Sequence, residues 1–161
     1  MFERFASGTR DKVRRAAELA EAENASMVEV EHLFTALVDP VTDSVGELLE
    51  SAGITALAIR SARDREFCSA LALAGVDTRR PAPGAAPRQR RGRTTSFGPS
   101  AKLALERTLV IAADSGDRRI TTASLALAIV RADVGIMPRL LKEFGSSGVE
   151  IEQLLRRSER A

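Results

Sequence analysis

The chain has 161 residues, of which 44% are hydrophobic and 29% are charged, and its formal net charge is +2. This length fits one domain, or one domain of two similar halves, and this balance excludes a chain that is disordered throughout. Only 4% of the residues are aromatic, which disfavours an all-β sandwich. The single cysteine and single histidine exclude a disulfide framework and a cysteine-rich zinc site. We therefore expect no metal and no cofactor.

The N-terminal stretch, Met-Phe-Glu-Arg-Phe, lacks the apolar run that characterises a secretory signal. Elsewhere in the chain, no apolar run approaches the roughly 18 residues that a membrane-spanning helix needs. These two features predict a cytoplasmic protein that has no membrane partner.

Four helices are predicted in the first half of the chain. The first covers about residues 7–23 and the second about residues 29–38, because apolar residues recur there at helical spacing. The third begins at Ser44, in a Ser-Val-Gly-Glu sequence typical of a capping box, and ends at Gly53, which suits the left-handed position after a helix. The fourth helix begins near Thr55.

A basic segment follows these helices. No acidic residue occurs between Asp77 and Glu106, and residues 79–96 contain six arginines, three prolines and two glycines. This composition is typical of a mobile linker rather than a folded element. The arginines also leave open nucleic-acid binding by charge alone, although no aromatic residue is interleaved with them.

The second half of the chain repeats the first at a spacing of 92 residues. Over the 56 pairs that begin with residues 5–60, ten are identical without a gap, and they lie at apolar, helix-spaced positions and at a helix-ending glycine. The pattern predicts a duplication. Its helices would start at Pro99 and at Thr122, with Thr121 as the cap, and the third would end at Gly145.

We therefore predict an all-α fold of two tandem four-helix repeats. The first repeat covers residues 1–72, a flexible basic linker covers residues 73–96, and the second repeat covers residues 97–158. Since each repeat alone is too small for a robust core, the two should pack with pseudo-twofold symmetry into one globular unit.

Three segments resemble a known family. The opening Met1–Phe5 resembles the start of the N-terminal domain of ClpC-type AAA+ unfoldases. The Val-Glu-His-Leu sequence at residues 30–33 resembles the family's Thr-Glu-His-Ile, and Phe-Gly-Pro-Ser-Ala-Lys at residues 97–102 resembles its Phe-Thr-Pro-Arg-Ala-Lys. That domain, a Clp repeat pair, docks adaptors and substrates for a protease machine. The sequence contains no G-x-x-x-x-G-K-[ST] phosphate loop, so the resemblance implies a stand-alone N-domain that is not an enzyme.

The resemblance also implies a ligand groove where the two repeats meet. Phe2, Phe97, Lys102 and Glu106 match the family positions that line this groove, which receives cyclic-peptide antibiotics of the cyclomarin type. Because Lys102 and Glu106 stand four residues apart, they share one helix face and would orient a peptide. The alternative is that Phe97 belongs to the core and that Lys102 and Glu106 form a surface ion pair.

Glu31 matches the carboxylate with which the family holds phosphorylated arginine. The family's partner threonine is replaced by Ala6 here, and the second repeat has Gly98 and Ala123 at the two positions. The resemblance therefore implies one lost site and one phosphoarginine-site remnant at Glu31. Alternatively, Glu31 is a helix-start residue that the helix dipole favours.

Together these features predict a non-enzymatic binding module of the Clp protease system. It would act as a decoy or competitor for ligands of the ClpC N-domain, with cyclic peptides, adaptors, tagged substrates or ClpC itself as partners. The alternative is a small basic regulator that binds nucleic acid through the arginine-rich linker.

Overall fold

The structure, a computed structural model, describes residues 2–77 and 96–158, except for the side chains of Phe2 and Ser158. Within these ranges the chain forms a short 3-10 helix and eight α-helices, without any β-strand, which confirms the predicted all-α class. In chain order the α-helices are α1 (Ser7–Ala22), α2 (Val30–Val38), α3 (Ser44–Ser51), α4 (Ala56–Leu73), α5 (Pro99–Asp114), α6 (Thr122–Val130), α7 (Ile136–Glu143) and α8 (Gly148–Ser158).

Several helix ends follow directly from local sequence. The hydroxyl oxygens of Thr55 and Thr121 accept hydrogen bonds from backbone N–H groups three residues later, at 3.1 and 3.2 Å, and so cap α4 and α6. After α3 and α7, Gly53 and Gly145 adopt φ values of 81° and 67°, in the left-handed region that favours glycine. These helix-end predictions are confirmed.

The predicted start of α3 at Ser44 is confirmed, but the capping residue needs a correction. The capping residue is Asp43, whose carboxylate accepts a hydrogen bond of 2.9 Å from the backbone N–H of Gly46. Ser44 is already the first helical residue. Both residue types are good caps, and the carboxylate adds a favourable charge at the positive end of the helix dipole.

The spacing of 92 residues reappears in the helix bounds. Adding 92 to the bounds of α1, α2 and α3 gives the bounds of α5, α6 and α7, and adding 92 to the first residue of α4 gives the first residue of α8. The fourth helices differ in length, with 18 residues in α4 and 11 in α8. The superposition of the two halves, and the bounds of the repeats, stay predictions.

Two short backbone contacts connect the halves reciprocally. Ile120 donates its N–H to the carbonyl of Arg4 and accepts the N–H of Ala6, both at 2.9 Å. Val28, which lies 92 residues before Ile120, donates to Ser96 at 2.9 Å and accepts the N–H of Gly98 at 2.8 Å. Each half thus satisfies backbone groups that flank the first helix of the other half.

The core is centred on α2 and α6. Nearly every residue of these two helices is buried, as expected for helices that are apolar on all sides. The largest fully buried side chains include Phe34, Leu37, Leu125 and Ile129, and the core continues without a break across both halves. The two halves therefore share one hydrophobic core.

The linker lies mostly outside the described residues. Residues 78–95, which include the run of arginines, are not described, while Leu73 still belongs to α4. The linker therefore stays a prediction. In the described part of the chain, no helix is both long enough and apolar enough to cross a membrane.

Candidate functional site

Phe97 lies on the backbone junction between the two halves. Hydrogen bonds from Val28 to Ser96 and from Gly98 to Val28 hold the backbone on both sides of the aromatic ring. Its side chain is half-buried and packs against the shared core. Phe97 therefore combines a structural role with a partly accessible ring directly before α5.

Lys102 and Glu106 lie on α5, four residues apart and both exposed. Among the residues that the structure describes, neither forms an ion pair. The structure therefore does not contain the ion pair that the alternative describes, and the role of these two residues stays a prediction. Both charges remain available to a ligand on the helix that begins next to Phe97.

Phe2 starts the short 3-10 helix Phe2–Arg4. The backbone from Arg4 to Ala6 is held by Ile120, at the junction that is reciprocal to the one at Phe97. The side chain of Phe2 lies outside the described part of the chain. Its place in the groove stays a prediction.

Glu31 is half-buried in the first turn of α2 and lines a cavity of about 340 Å³. The other lining residues are Arg63, Asp64, Glu66, Phe67, Ala70, Ile136 and Arg139. Both arginines in this cavity are already paired, Arg63 with Glu23 and Arg139 with Glu66. Within the described lining, no unpaired cation is left to receive a phosphoryl group beside Glu31.

The equivalent position in the second half is closed by the protein itself. The carboxylate of Glu29 accepts a hydrogen bond from Ser100 and occupies the space where a Cβ on Gly98 would lie. Ser100 in turn accepts the N–H of Val30 at 2.9 Å, which ties the start of α2 to α5. The Glu29 carboxylate is the end of a flexible side chain and would have to move to admit a threonine at residue 98, so the loss of this site stays a prediction.

Comparison with known proteins fits this architecture. The family model described as the Clp repeat (R) N-terminal domain matches residues 4–144. The chain belongs to the Clp N-terminal domain family. No curated protein matches its sequence.

Solved structures show the same fold as this Clp N-domain. The N-terminal domain of the chaperone ClpD from Arabidopsis thaliana is 21% identical, with a TM-score of 0.72, and the match covers 100% of this chain and 97% of that one. The N-terminal domain of Hsp104 from Candida albicans is 17% identical, with a TM-score of 0.67 and coverage of 98% and 92%. A structure from a study of a malarial protein secretion system is 14% identical, with a TM-score of 0.66 and coverage of 96% and 94%.

His32 has a structural role in this Clp N-domain. The buried imidazole accepts the N–H of Glu29 at Nδ1, 2.9 Å away, so the neutral ring carries its proton on Nε2. That nitrogen donates to the Glu23 carboxylate at 3.3 Å, and Arg63 donates two hydrogen bonds to the same carboxylate. The hydrogen bonds from His32 and Arg63 lower the pKa of Glu23 to about 2.

Sequence reasoning missed this Glu23–His32–Arg63 cluster. Glu23 and Arg63 are 40 residues apart and follow no local spacing pattern. Within the described ranges, no three His, Cys, Asp or Glu residues are grouped so that they could hold a metal ion, and every buried side-chain nitrogen or oxygen has a partner. In the described part of this Clp N-domain, the buried polar side chains are therefore all satisfied by partners within the protein.

Proposed function

We propose that this Clp N-domain is a non-enzymatic peptide- and protein-binding module of the Clp protease system, which acts as a decoy or competitor for ligands of the ClpC N-domain. Family membership supports a binding role, since these domains dock substrates and adaptors of unfoldases. The observation that carries the proposal is the exposed, unpaired state of Lys102 and Glu106 on the helix that follows Phe97.

The ligand class that these residues fit best is a cyclic peptide of the cyclomarin type. A partly buried aromatic ring offers rigid apolar contact area at low entropic cost. An ammonium group and a carboxylate four residues apart present a donor and an acceptor to the polar groups of a peptide backbone. Adaptors and tagged substrates of ClpC are the competing ligand class at the same groove.

The Glu31 site contributes little in this proposal. Ala6 supplies no hydroxyl group, the arginines near Glu31 are already paired, and Glu29 closes the equivalent space in the second half. We therefore assign the function to the groove rather than to phosphoarginine binding.

Calorimetry with a cyclomarin-type peptide and the full chain tests the proposal. We expect binding in a one-to-one ratio. Loss of an aromatic anchor costs about 2 kcal/mol or more at an interface, so Phe2→Ala should weaken binding by about 30-fold. Lys102→Ala and Glu106→Ala change exposed groups and should each weaken binding without altering stability.

Two controls separate the groove from general effects. Lys142→Ala removes an exposed lysine from α7, and Glu31→Ala removes the carboxylate from the other cavity; both should bind like the wild type. Phe97→Ala needs a parallel unfolding measurement, because this ring packs against the core. No heat with the wild-type chain, or unchanged affinity in Phe2→Ala, refutes the antibiotic-decoy function and leaves the adaptor competitor to be tested against ClpC-dependent degradation.

A further inference from the structure

A second surface distinguishes the two halves of the molecule. Leu103 and Val110 on α5, and Val134 in the loop before α7, are 43%, 59% and 75% exposed. The residues that lie 92 positions earlier are Asp11, Glu18 and Thr42, all polar. Leu103, Arg107 and Val110 follow helical spacing, so they share one face of α5. We call Leu103, Arg107, Val110 and Val134 the α5 face.

Arg107 is the charged centre of the α5 face. The arginine 92 residues earlier, Arg15, pairs with Glu18 at 3.2 Å and with Asp39 at 3.0 Å. The residues at the positions of these two carboxylates in the second half are Val110 and Arg131. As a result, Arg107 is half-buried and forms no ion pair or hydrogen bond with the described residues.

A small cavity opens beside Arg107, with a volume of about 50 Å³. Its lining is almost entirely apolar, with one cation and no carboxylate: Val30, Ser100, Leu103, Ala104, Arg107, Ala128, Ala132, Val134, Gly135, Ile136 and Met137. For comparison, an engineered cavity of about 150 Å³ holds a benzene ring. The cavity beside Arg107 is much smaller and therefore suits the end of one aliphatic side chain.

We propose that the α5 face binds an amphipathic helical segment of a partner protein, one that carries an aliphatic side chain and a carboxylate on the same side. The aliphatic side chain enters the cavity, and the carboxylate pairs with Arg107, which lacks the two partners that Arg15 has. A charge-assisted pair of this kind is strengthened because Arg107 is already partly removed from water. The surface uses none of the side chains assigned to the groove, although Val110 lies four residues after Glu106 on α5.

Charge complementarity selects this occupant. A basic partner would meet Arg107 without a compensating carboxylate in the cavity, and the small volume favours an aliphatic anchor. A helical partner suits the α5 face because helices pack against each other through side chains spaced three and four residues apart.

The test uses an amidated, fluorescently labelled peptide of about 12 residues, a length at which isolated helices begin to form. The peptide has one Leu and one Glu at helical spacing, and its other residues are Ala and Gln. Fluorescence anisotropy measures its binding to the full chain. Val110→Glu copies Glu18 of the first half and places a carboxylate beside Arg107. This change should weaken peptide binding by about tenfold.

Two protein variants accompany Val110→Glu. Leu103→Asp copies Asp11, changes another exposed residue, and should weaken binding to a similar extent. Val149→Glu makes the matched apolar-to-acidic change at an exposed residue of α8, away from the α5 face, and should bind like the wild type. All three variants should keep the unfolding midpoint of the wild type, because the altered side chains are exposed.

A change in the peptide isolates the charge contact. Replacing its Glu with Gln should weaken binding to the wild type by about tenfold but should hardly affect binding to Val110→Glu, whose own carboxylate already pairs with Arg107. Equal losses in both proteins would overturn the pairing, and unchanged binding to Val110→Glu and Leu103→Asp would overturn the surface.

The same samples test the other occupants and separate the two binding sites. Self-association of the wild type that Val110→Glu abolishes would assign the face to a second copy of this chain and overturn the proposal. Val134→Glu, which changes the residue of the α5 face that lies off α5, should leave cyclic-peptide binding unchanged, and Phe2→Ala should leave binding of the helical peptide unchanged. Failure of the groove and failure of the α5 face are therefore distinguishable.

Discussion

The two halves of the molecule have helices with matching bounds but use their charged residues differently. In the first half, the buried Lys12 donates hydrogen bonds to the carbonyl of Leu37 in the last turn of α2, at 3.1 Å, and to that of Pro40 just beyond the helix, at 2.7 Å. The second half has Ala104 at the position of Lys12. The apolar helix pattern thus maintains the backbone, while single polar substitutions decide which surfaces are closed and which are open to a ligand.

The largest expected loss of stability comes from a substitution at the start of α8, the fourth helix of the second half. A Cβ on Gly148 would collide with the carbonyl oxygen of Val130, whereas the first half has Ala56 at the equivalent position. Gly148→Val should lower the free energy of unfolding by about 3 kcal/mol, because the obstacle is backbone that cannot move aside. Chemical denaturation measures this change.

The matched control for this prediction is Ala56→Val. It introduces the same side chain at the start of α4 and should cost about 0.5 kcal/mol, the difference in helix propensity. If both variants lose the same free energy of unfolding, the start of α8 is not packed more closely against the end of α6 than the start of α4 is against the end of α2. That result would contradict the prediction.

Lys12 should have the next largest effect. Lys12→Met keeps the length of the side chain but leaves the carbonyls of Leu37 and Pro40 without their donor, so the free energy of unfolding should fall by about 2 kcal/mol. Lys142→Met, at an exposed lysine on α7, should change it by less than about 0.5 kcal/mol. If the two variants are equally stable, the buried lysine is not what holds the end of α2.

The smallest effect concerns Glu23 and depends on pH. Because its pKa falls from 4.5 to about 2 in the folded state, its contribution to stability is present above pH 4.5 and is lost as the pH falls towards 2. Glu23→Gln should therefore be less stable than the wild type near neutral pH, by on the order of 1 kcal/mol, and the difference should disappear near pH 2.

Urea unfolding at a series of pH values measures this difference. Glu106→Gln serves as the control, since Glu106 is exposed and forms no ion pair with the described residues. Its difference from the wild type should stay flat across the same range. A flat difference for Glu23→Gln as well would contradict the role of the His32 and Arg63 hydrogen bonds.

Much of the fold could be predicted because its signals are local. Helical spacing marks α1 and α2, single hydroxyl groups mark the caps at Thr55 and Thr121, and glycines mark the ends of α3 and α7. The error at Ser44 arose because Asp43, directly before it, is an equally good cap. Local preference alone does not choose between two adjacent capping residues.

The candidate sites were less predictable because they depend on contacts between distant residues. No sequence pattern shows that Glu29 fills the space beside Gly98, or that Arg63 reaches Glu23 from another helix. The positions of Lys102 and Glu106 on one face of α5 follow from their spacing, but the absence of an ion pair between them does not. The α5 face becomes visible only when each residue is compared with its counterpart 92 positions earlier.

The reciprocal backbone contacts have a consequence for protein synthesis. The carbonyl of Arg4 and the N–H of Ala6 are both satisfied by Ile120, which the ribosome adds more than a hundred residues later. Domains usually fold as units while the chain emerges, starting from the N-terminus. Here the nascent first half keeps its N-terminal backbone open to water until translation has passed Ile120, so the junction at Phe5 and Ile120 closes after the first half is complete.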